Sequence, residues 1–165
     1  MKKIINKNIK EIKNYQIDQS GKIEQTNRTT IICLANGTSD TIEISAKIKR
    51  QLLEIFRRNG QPRNFILFSF CGGLSIILKR NPSINYVVID REYFGKEPVI
   101  KEILLEMLGK KQIEIHFSLI GRKVNAHKNG YLTFIKKLKP KKKTKLKDIL
   151  EEIKKTEVGK QLKDA

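Results

Sequence analysis

A mixed α/β fold, with three antiparallel strands followed by parallel strands and helices around one sheet, is what this chain predicts. Three stretches predict it. Residues 15–45 hold three short β-prone runs with tight connections, as an antiparallel meander requires. Residues 86–108, YVVIDREYFGKEPVIKEILLEML, join a short apolar run to a helical pattern. Residues 112–138 repeat strand then helix. The order is β-β-β-α, then β-α-β-α, and strands separated by helices pair in parallel.

Residues 1–13 carry five lysines against one glutamate and read as a basic lead-in, either frayed or a short edge strand. In residues 14–24, Tyr15, Ile17 and Ile23 alternate with polar residues, Asp18 falls inside the run, and Ser20-Gly21 supplies a turn or bulge. Residues 29–35 (TTIICLA) close on Asn36-Gly37, a hairpin signal, and residues 41–45 (TIEIS) alternate again. From Ala46 the period changes: Ile48, Leu52, Ile55 and Phe56 mark one helix face, with Arg57 and Arg58 in the last turn where the dipole favours cations.

Residues 65–70 (FILFSF) are apolar and aromatic enough to predict a central strand broken by Gly72-Gly73. Residues 74–78 then fit either a short helix or the return arm of a hairpin. In the next unit Val87, Val88 and Ile89 form a buried strand that stops at Asp90. A turn with Gly95 follows, and Pro98 opens a helix with Val99, Ile100, Ile103, Leu104, Met107 and Leu108 at helical spacing. A carboxylate at the end of a central strand either caps the turn or lies where open α/β sheets keep their chemistry. Residues 112–120 alternate with Ile113, Ile115, Phe117 and Leu119 on one face. Residues 126–139 predict a basic helix burying Tyr131, Leu132, Phe134, Ile135 and Leu138. The lysine run of residues 139–147 reads as solvated, and residues 148–162 as a final charged helix with Leu146, Ile149, Leu150 and Ile153 as its stripe. The expected organisation is thus a lead-in (1–13), one domain (14–138) and a Lys-rich extension with a helix (139–165).

Composition narrows the function. Lys and Arg number 35 against 17 Asp and Glu, a net charge of +18, which is far more than solubility needs and implies an anionic partner. Without an apolar stretch long enough to span a bilayer or a signal-type h-region, the expectation is a soluble cytoplasmic protein, with nucleic acid rather than a membrane as partner. Cys33 and Cys71 lack metal or redox spacing and read as buried hydrophobes.

The element order, an Asp in IDQSG (17–21) and an Asp closing VVID (87–90) together resemble the RNase H-like superfamily over residues 14–138. That group contains RNase H, Holliday-junction resolvases, integrases and small nucleases, and a small archaeal-type nuclease is the nearest likeness. The resemblance implies that the two acids lie on neighbouring strands and hold divalent metal, which makes Asp18 and Asp90 paired ligands for Mg²⁺ or Mn²⁺. Elementary electrostatics agrees: close carboxylates repel unless a cation sits between them, and hard oxygen ligands suit these ions. Two such ions can clamp both oxygens of a phosphodiester displacement.

The superfamily adds an acid from its first long helix and an acid or His near its last. Glu54 lies on the first helix but off its apolar face, as a solvated charge does. In GRKVNAHKNG (121–130) there is no Asp, and His127 is the available substitute, as general base or ligand, with Asn125 and Lys123 within reach of phosphate. A surface His beside lysines is equally the ordinary reading. Glu92, Glu97 and Glu102 stand as further ligand candidates. Arg122, Lys123 and Lys128 would position phosphates, Lys141, Lys142 and Lys143 would hold flanking backbone, and Tyr93 and Phe94 would stack an unpaired base, with a core contact the alternative for Phe94. The expectation is a metal-dependent nuclease acting on DNA or RNA, as monomer or homodimer. The rivals are a non-catalytic nucleic-acid-binding module and an RNA- or ribosome-associated adaptor.

Overall fold

A computed structural model describes residues 15–109 and 111–163, so the basic lead-in lies outside the described residues. The elements are β1 (Tyr15–Ser20), β2 (Thr30–Asn36), β3 (Thr38–Ile44), α1 (Ala46–Arg58), α2 (Phe65–Arg80), β4 (Tyr86–Asp90), α3 (Glu97–Leu108), β5 (Glu114–Ser118), α4 (Asn125–Phe134), β6 (Lys142–Lys143), α5 (Leu146–Ile153) and α6 (Glu157–Lys160). They build one six-stranded mixed sheet in the order β5-β4-β1-β2-β3-β6. β1, β2 and β3 pair antiparallel, with Asn36 and Thr38 closing a hairpin around Gly37. β4, β5 and β6 all pair in parallel.

One face of the sheet presents Ile17, Ile32, Leu34, Ile42, Ile44, Val87, Ile89 and Ile115 to the main core, which α1, α2, α3 and α5 complete. The other face carries α4, which packs on β1, β2 and β3. No helix among the described residues is long and apolar enough to cross a membrane. Both cysteines are buried and free.

Residues 65–70 are not a strand: they open α2, and of the two readings of residues 74–78 the helix is the one found, as the continuation of α2, and the hairpin arm is not. A helix buried nearly all round has no polar side to set its period, so a short apolar run in it looks like a strand. Gly72-Gly73 is a close-packing point rather than a break. A Cβ at Gly73 would sit 2.4 Å from Ile32 Cδ1 on the sheet, and one at Gly72 would sit 3.0 Å from Ile149 Cγ2 on α5. The α2–α5 contact is pinned by Glu152, whose Oε2 accepts from Ser75 Oγ at 2.5 Å and Lys79 Nζ at 2.6 Å. Burial works against that charge, but the donated hydrogen bonds hold the Glu152 carboxyl below its ordinary range.

Three further expectations are corrected. β1 ends at Ser20, and Ile23 is buried from the following loop rather than from a strand. Two residues of the lysine run, Lys142 and Lys143, pair with Ile42 and Glu43 of β3. The basic helix ends near residue 135, where Lys136 takes φ 63° and the amides of Lys136 and Lys137 donate to the carbonyls of Thr133 and Leu132, the two bonds of a Schellman motif. Its buried side consists of Ala126, Gly130 and Thr133, while Tyr131, Ile135 and Leu138 are exposed at 50%, 37% and 45%. The cause is closeness: a Cβ on Gly130 would lie 3.2 Å from Cys33 Cβ, so only small residues fit beneath α4.

The loop from β1 to β2 is tied to α1 by Lys49, a fully buried cation. Its Nζ donates to the carbonyls of Lys22 (3.0 Å) and Gln25 (2.7 Å) and to Thr30 Oγ1 (2.9 Å). Burial pulls its pKa down to about 8, with the Glu24 charge opposing. Replacing Lys49 by Met keeps the bulk but strands three acceptors, and should lower stability by about 1–3 kcal/mol in urea unfolding. A midpoint that stays put or rises would count against the clamp.

Candidate metal centre

β1 and β4 are neighbours, and their register decides what meets. Ile17 lies beside Ile89, so the next residues, Asp18 and Asp90, lie side by side on the α4 face of the sheet. Asp90 pairs outward with Ser118 of β5, and Asp18 with Cys33 of β2, which in turn pairs with Thr41. Across that row, acids occupy the neighbouring strands β1 and β4.

Glu92 joins them. The chain leaves β4 through a turn in which the Glu92 amide donates to the Asp90 carbonyl at 2.9 Å. Asp18, Asp90 and Glu92 then offer carboxylate oxygens that all lie within 4.8 Å of one another. The Ile120 amide donates to Asp90 Oδ1 at 2.9 Å and fixes that side chain. Asp18 is buried, and its Oδ2 accepts from His127 Nδ1 at 2.7 Å. With Asp18 ionised its oxygen only accepts, so Nδ1 donates; in the neutral form of the ring that tautomer keeps the lone pair on Nε2. His127 is the third residue of α4, and the helix therefore turns its positive end toward the acids.

The cluster is electrostatically strained. Burial raises the pKa of Asp18, with Asp90 adding to the rise and the His127 bond opposing it. Glu92 is pushed up to about 8 by burial first, then by the Asp90 charge and a hydrogen bond to Asp90, with Asp18 adding and Lys22 opposing. Three converging hard oxygens under mutual repulsion fit a divalent cation, so Asp18, Asp90 and Glu92 could hold Mg²⁺ or Mn²⁺.

Around this centre the other candidates separate. Tyr93 is not free to stack on a base: it packs edge-on against Phe70 at 5.2 Å and its hydroxyl bridges Gln19 and Glu24. Phe94 is 66% exposed, with Arg91 6.0 Å from its ring centre, so it makes no core contact. Glu97 pairs with Arg91, Glu102 is exposed, and Glu54 pairs with Arg58 in solvent one turn away. Arg122, Lys123, Asn125 and Lys128 are exposed at the start of α4, within a few residues of His127. Lys141, Lys142 and Lys143 lie instead at the opposite sheet edge, three strands from β1. There Lys142 Nζ stands 3.8 Å from Asp148 and the Lys141 amide donates to Thr41 Oγ1. His116 stacks on Tyr86.

Sequence reading left Glu92 among several acids because it lies past the strand end. Alternation does not reach it, because β4 ends at Asp90 and the turn that follows decides the side on which Glu92 falls. Comparison with family models, with curated proteins and with solved structures gives no match.

The raised Glu92 pKa fixes a pH dependence. A carboxyl whose folded pKa lies above its unfolded value stabilises the fold fully below about pH 4.5, and that contribution is lost as pH rises through about 8. In EDTA, wild-type stability should therefore fall from pH 5 to 9 relative to Glu92→Gln. The variant should lead at pH 9 by on the order of 2 kcal/mol, given screening by water on the open side of the cluster. Parallel pH profiles for the two proteins would exclude the strained cluster.

Proposed function

We propose that this protein is a divalent-metal-dependent nuclease hydrolysing phosphodiester bonds, with Asp18, Asp90 and Glu92 as its metal ligands and Mg²⁺ or Mn²⁺ as its ion. The observation that carries the reading is the convergence of three carboxylates within 4.8 Å across β1 and β4 in a chain of net charge +18. A protein that polar and basic has no electrostatic reason to concentrate buried negative charge unless a cation neutralises it. The strand order β5-β4-β1-β2-β3, antiparallel in the meander and parallel beyond it, supports the resemblance to RNase H-like enzymes. Bound there, the ion would polarise a phosphoryl oxygen and lower the pKa of a coordinated water.

The residues divide the remaining work. Asp18 orients His127 through Nδ1, and in its neutral form the ring would use Nε2 to take a proton from the attacking water and, once protonated, to give one to the leaving oxygen. The Ile120 amide holds Asp90 in one rotamer, so the acid pair keeps its separation. Arg122, Lys123 and Lys128, exposed beside the head of α4, draw in the phosphate backbone, and Asn125 adds a neutral donor. Lys141, Lys142 and Lys143 hold more distant backbone from the far edge.

The second reading, a binding module without catalysis, draws on the same His127–Asp18 bond, which occupies one carboxylate oxygen of a ligand. A nuclease assay separates the two. With labelled DNA and RNA in Mn²⁺ or Mg²⁺, the wild type should cut, EDTA should stop it, and Asp18→Asn or Asp90→Asn should each lose at least about 100-fold. His127→Ala should lose about 10²–10⁴-fold. Activity surviving both Asp substitutions would overturn the ligand assignment, and salt-sensitive binding without any cleavage would establish the module.

In the same proteins, Mn²⁺ at about 100 times its dissociation constant should stabilise the wild type by about 2.7 kcal/mol. Thermal melts should show no such gain for Asp90→Asn.

A further inference from the structure

Residues 121–147 contain eleven lysines and arginines and no acidic residue. This segment includes α4, which lies on the sheet face that carries Asp18. Starting from His127, Tyr131 and Ile135 follow at i+4 and i+8 along α4, and Leu138 lies just past the Schellman turn that closes the helix, its amide donating to the Leu132 carbonyl. Small residues occupy the inner side, and these three large apolar side chains face solvent. The rings of His127 and Tyr131 are parallel to within 4°, with centroids 6.4 Å apart. Lys128, Lys136, Lys137 and Lys139 flank the stripe, all exposed, and none forms an ion pair among the described residues.

An apolar ridge between unneutralised cations selects its occupant. Three side chains offer too little apolar surface to hold a protein on a lipid bilayer. A duplex hides its base faces and presents only phosphates, which leaves the ridge unused. An unpaired strand presents both phosphates and base faces, and aromatic stacking between basic side chains is how such strands are held. We infer that the ridge Tyr131–Ile135–Leu138 is the track for a single nucleic-acid strand. Bases lie on Tyr131 and the aliphatic residues beyond it, phosphates lie on Lys128, Lys136, Lys137 and Lys139, and the strand runs toward the acids at His127. The inference rests on the nucleic-acid part of the proposed function and names its substrate class as unpaired strands, DNA or RNA.

Binding without chemistry tests it. The full-length protein is titrated in EDTA against fluorescent oligo(dT), oligo(U) and duplex DNA, each of about 15 nucleotides or base pairs, with anisotropy as the readout. Both single strands should bind at least about tenfold tighter than the duplex. Tyr131→Ala should weaken single-strand binding by roughly 5- to 100-fold, with Tyr131→Phe staying within about twofold of wild type. Replacing Lys136 and Lys137 by Gln should reduce the log–log salt slope by about 1.4. Melting temperatures of the variants check that the exposed positions leave the fold intact. Equal affinity for duplex, or a Tyr131→Ala protein that binds like wild type, overturns the track. So does binding to phosphatidylserine vesicles that depends on Tyr131 when oligonucleotide binding does not. Because no metal is present, loss of nuclease activity in the Asp variants leaves this outcome untouched, and failure of the track leaves the metal ligands standing.

Discussion

Repulsion among three carboxylates is the interaction around which the rest of this protein is arranged. Asp18 and Asp90 are brought together by the register of β1 against β4, and a one-residue slip would send one of them into the opposite, apolar face. The register is protected by what lies on that other face: Ile17 and Ile89, adjacent in the same two strands, are almost wholly buried. The cluster is therefore held by hydrophobic packing on one side of the sheet while its own charges push apart on the other. The Ile120 amide and His127 each satisfy one carboxylate, and the α4 N-terminus adds positive potential, yet Glu92 is left with its proton favoured well above the usual carboxylate range.

The elements around the cluster act through this constraint. The β1–β2 loop holds Glu24 against the Tyr93 hydroxyl and brings Lys22 near Glu92, and Lys49 fixes that loop from α1. A buried lysine that donates to two carbonyls and a hydroxyl spends its charge on the backbone. It thus sets the position of groups that bear on the acids without touching them. Gly21 is the other fixed point, at φ 77°, where a Cβ would meet the Thr29 carbonyl at 2.3 Å and the Phe134 ring at 2.7 Å. The sharp end of β1 is thus packed beneath the end of α4.

Much of this was legible in the sequence because alternation and turn chemistry are local. The meander could be read from Tyr15, Ile17, the TTIICLA run and Asn36-Gly37, and the strand–turn–helix unit from VVID, Gly95 and Pro98. What failed was decided by tertiary packing. FILFSF looked like a strand because α2 is surrounded by protein and has no solvated side. Tyr131, Ile135 and Leu138 looked like core because size and apolarity usually mean burial, whereas α4 rests so close to Cys33 and Ser20 that glycine, alanine and threonine take the inside. Asp18 and Asp90 could be paired from a topological likeness, but Glu92 required knowing which way the chain turns after the strand. Lys49 gave no signal at all, since nothing local distinguishes it from its solvated neighbours Lys47 and Arg50.

The short pairing of Lys142 and Lys143 with β3 has a mechanical consequence. The chain leaves the sheet at one rim with β5, passes over the opposite face as α4, and is stitched back at the other rim. The imidazole of His127 rides on a bridge anchored at both banks, reached from β5 on one side and tied to β3 on the other. A two-residue strand remote from the acids thereby closes the span that carries His127 over them.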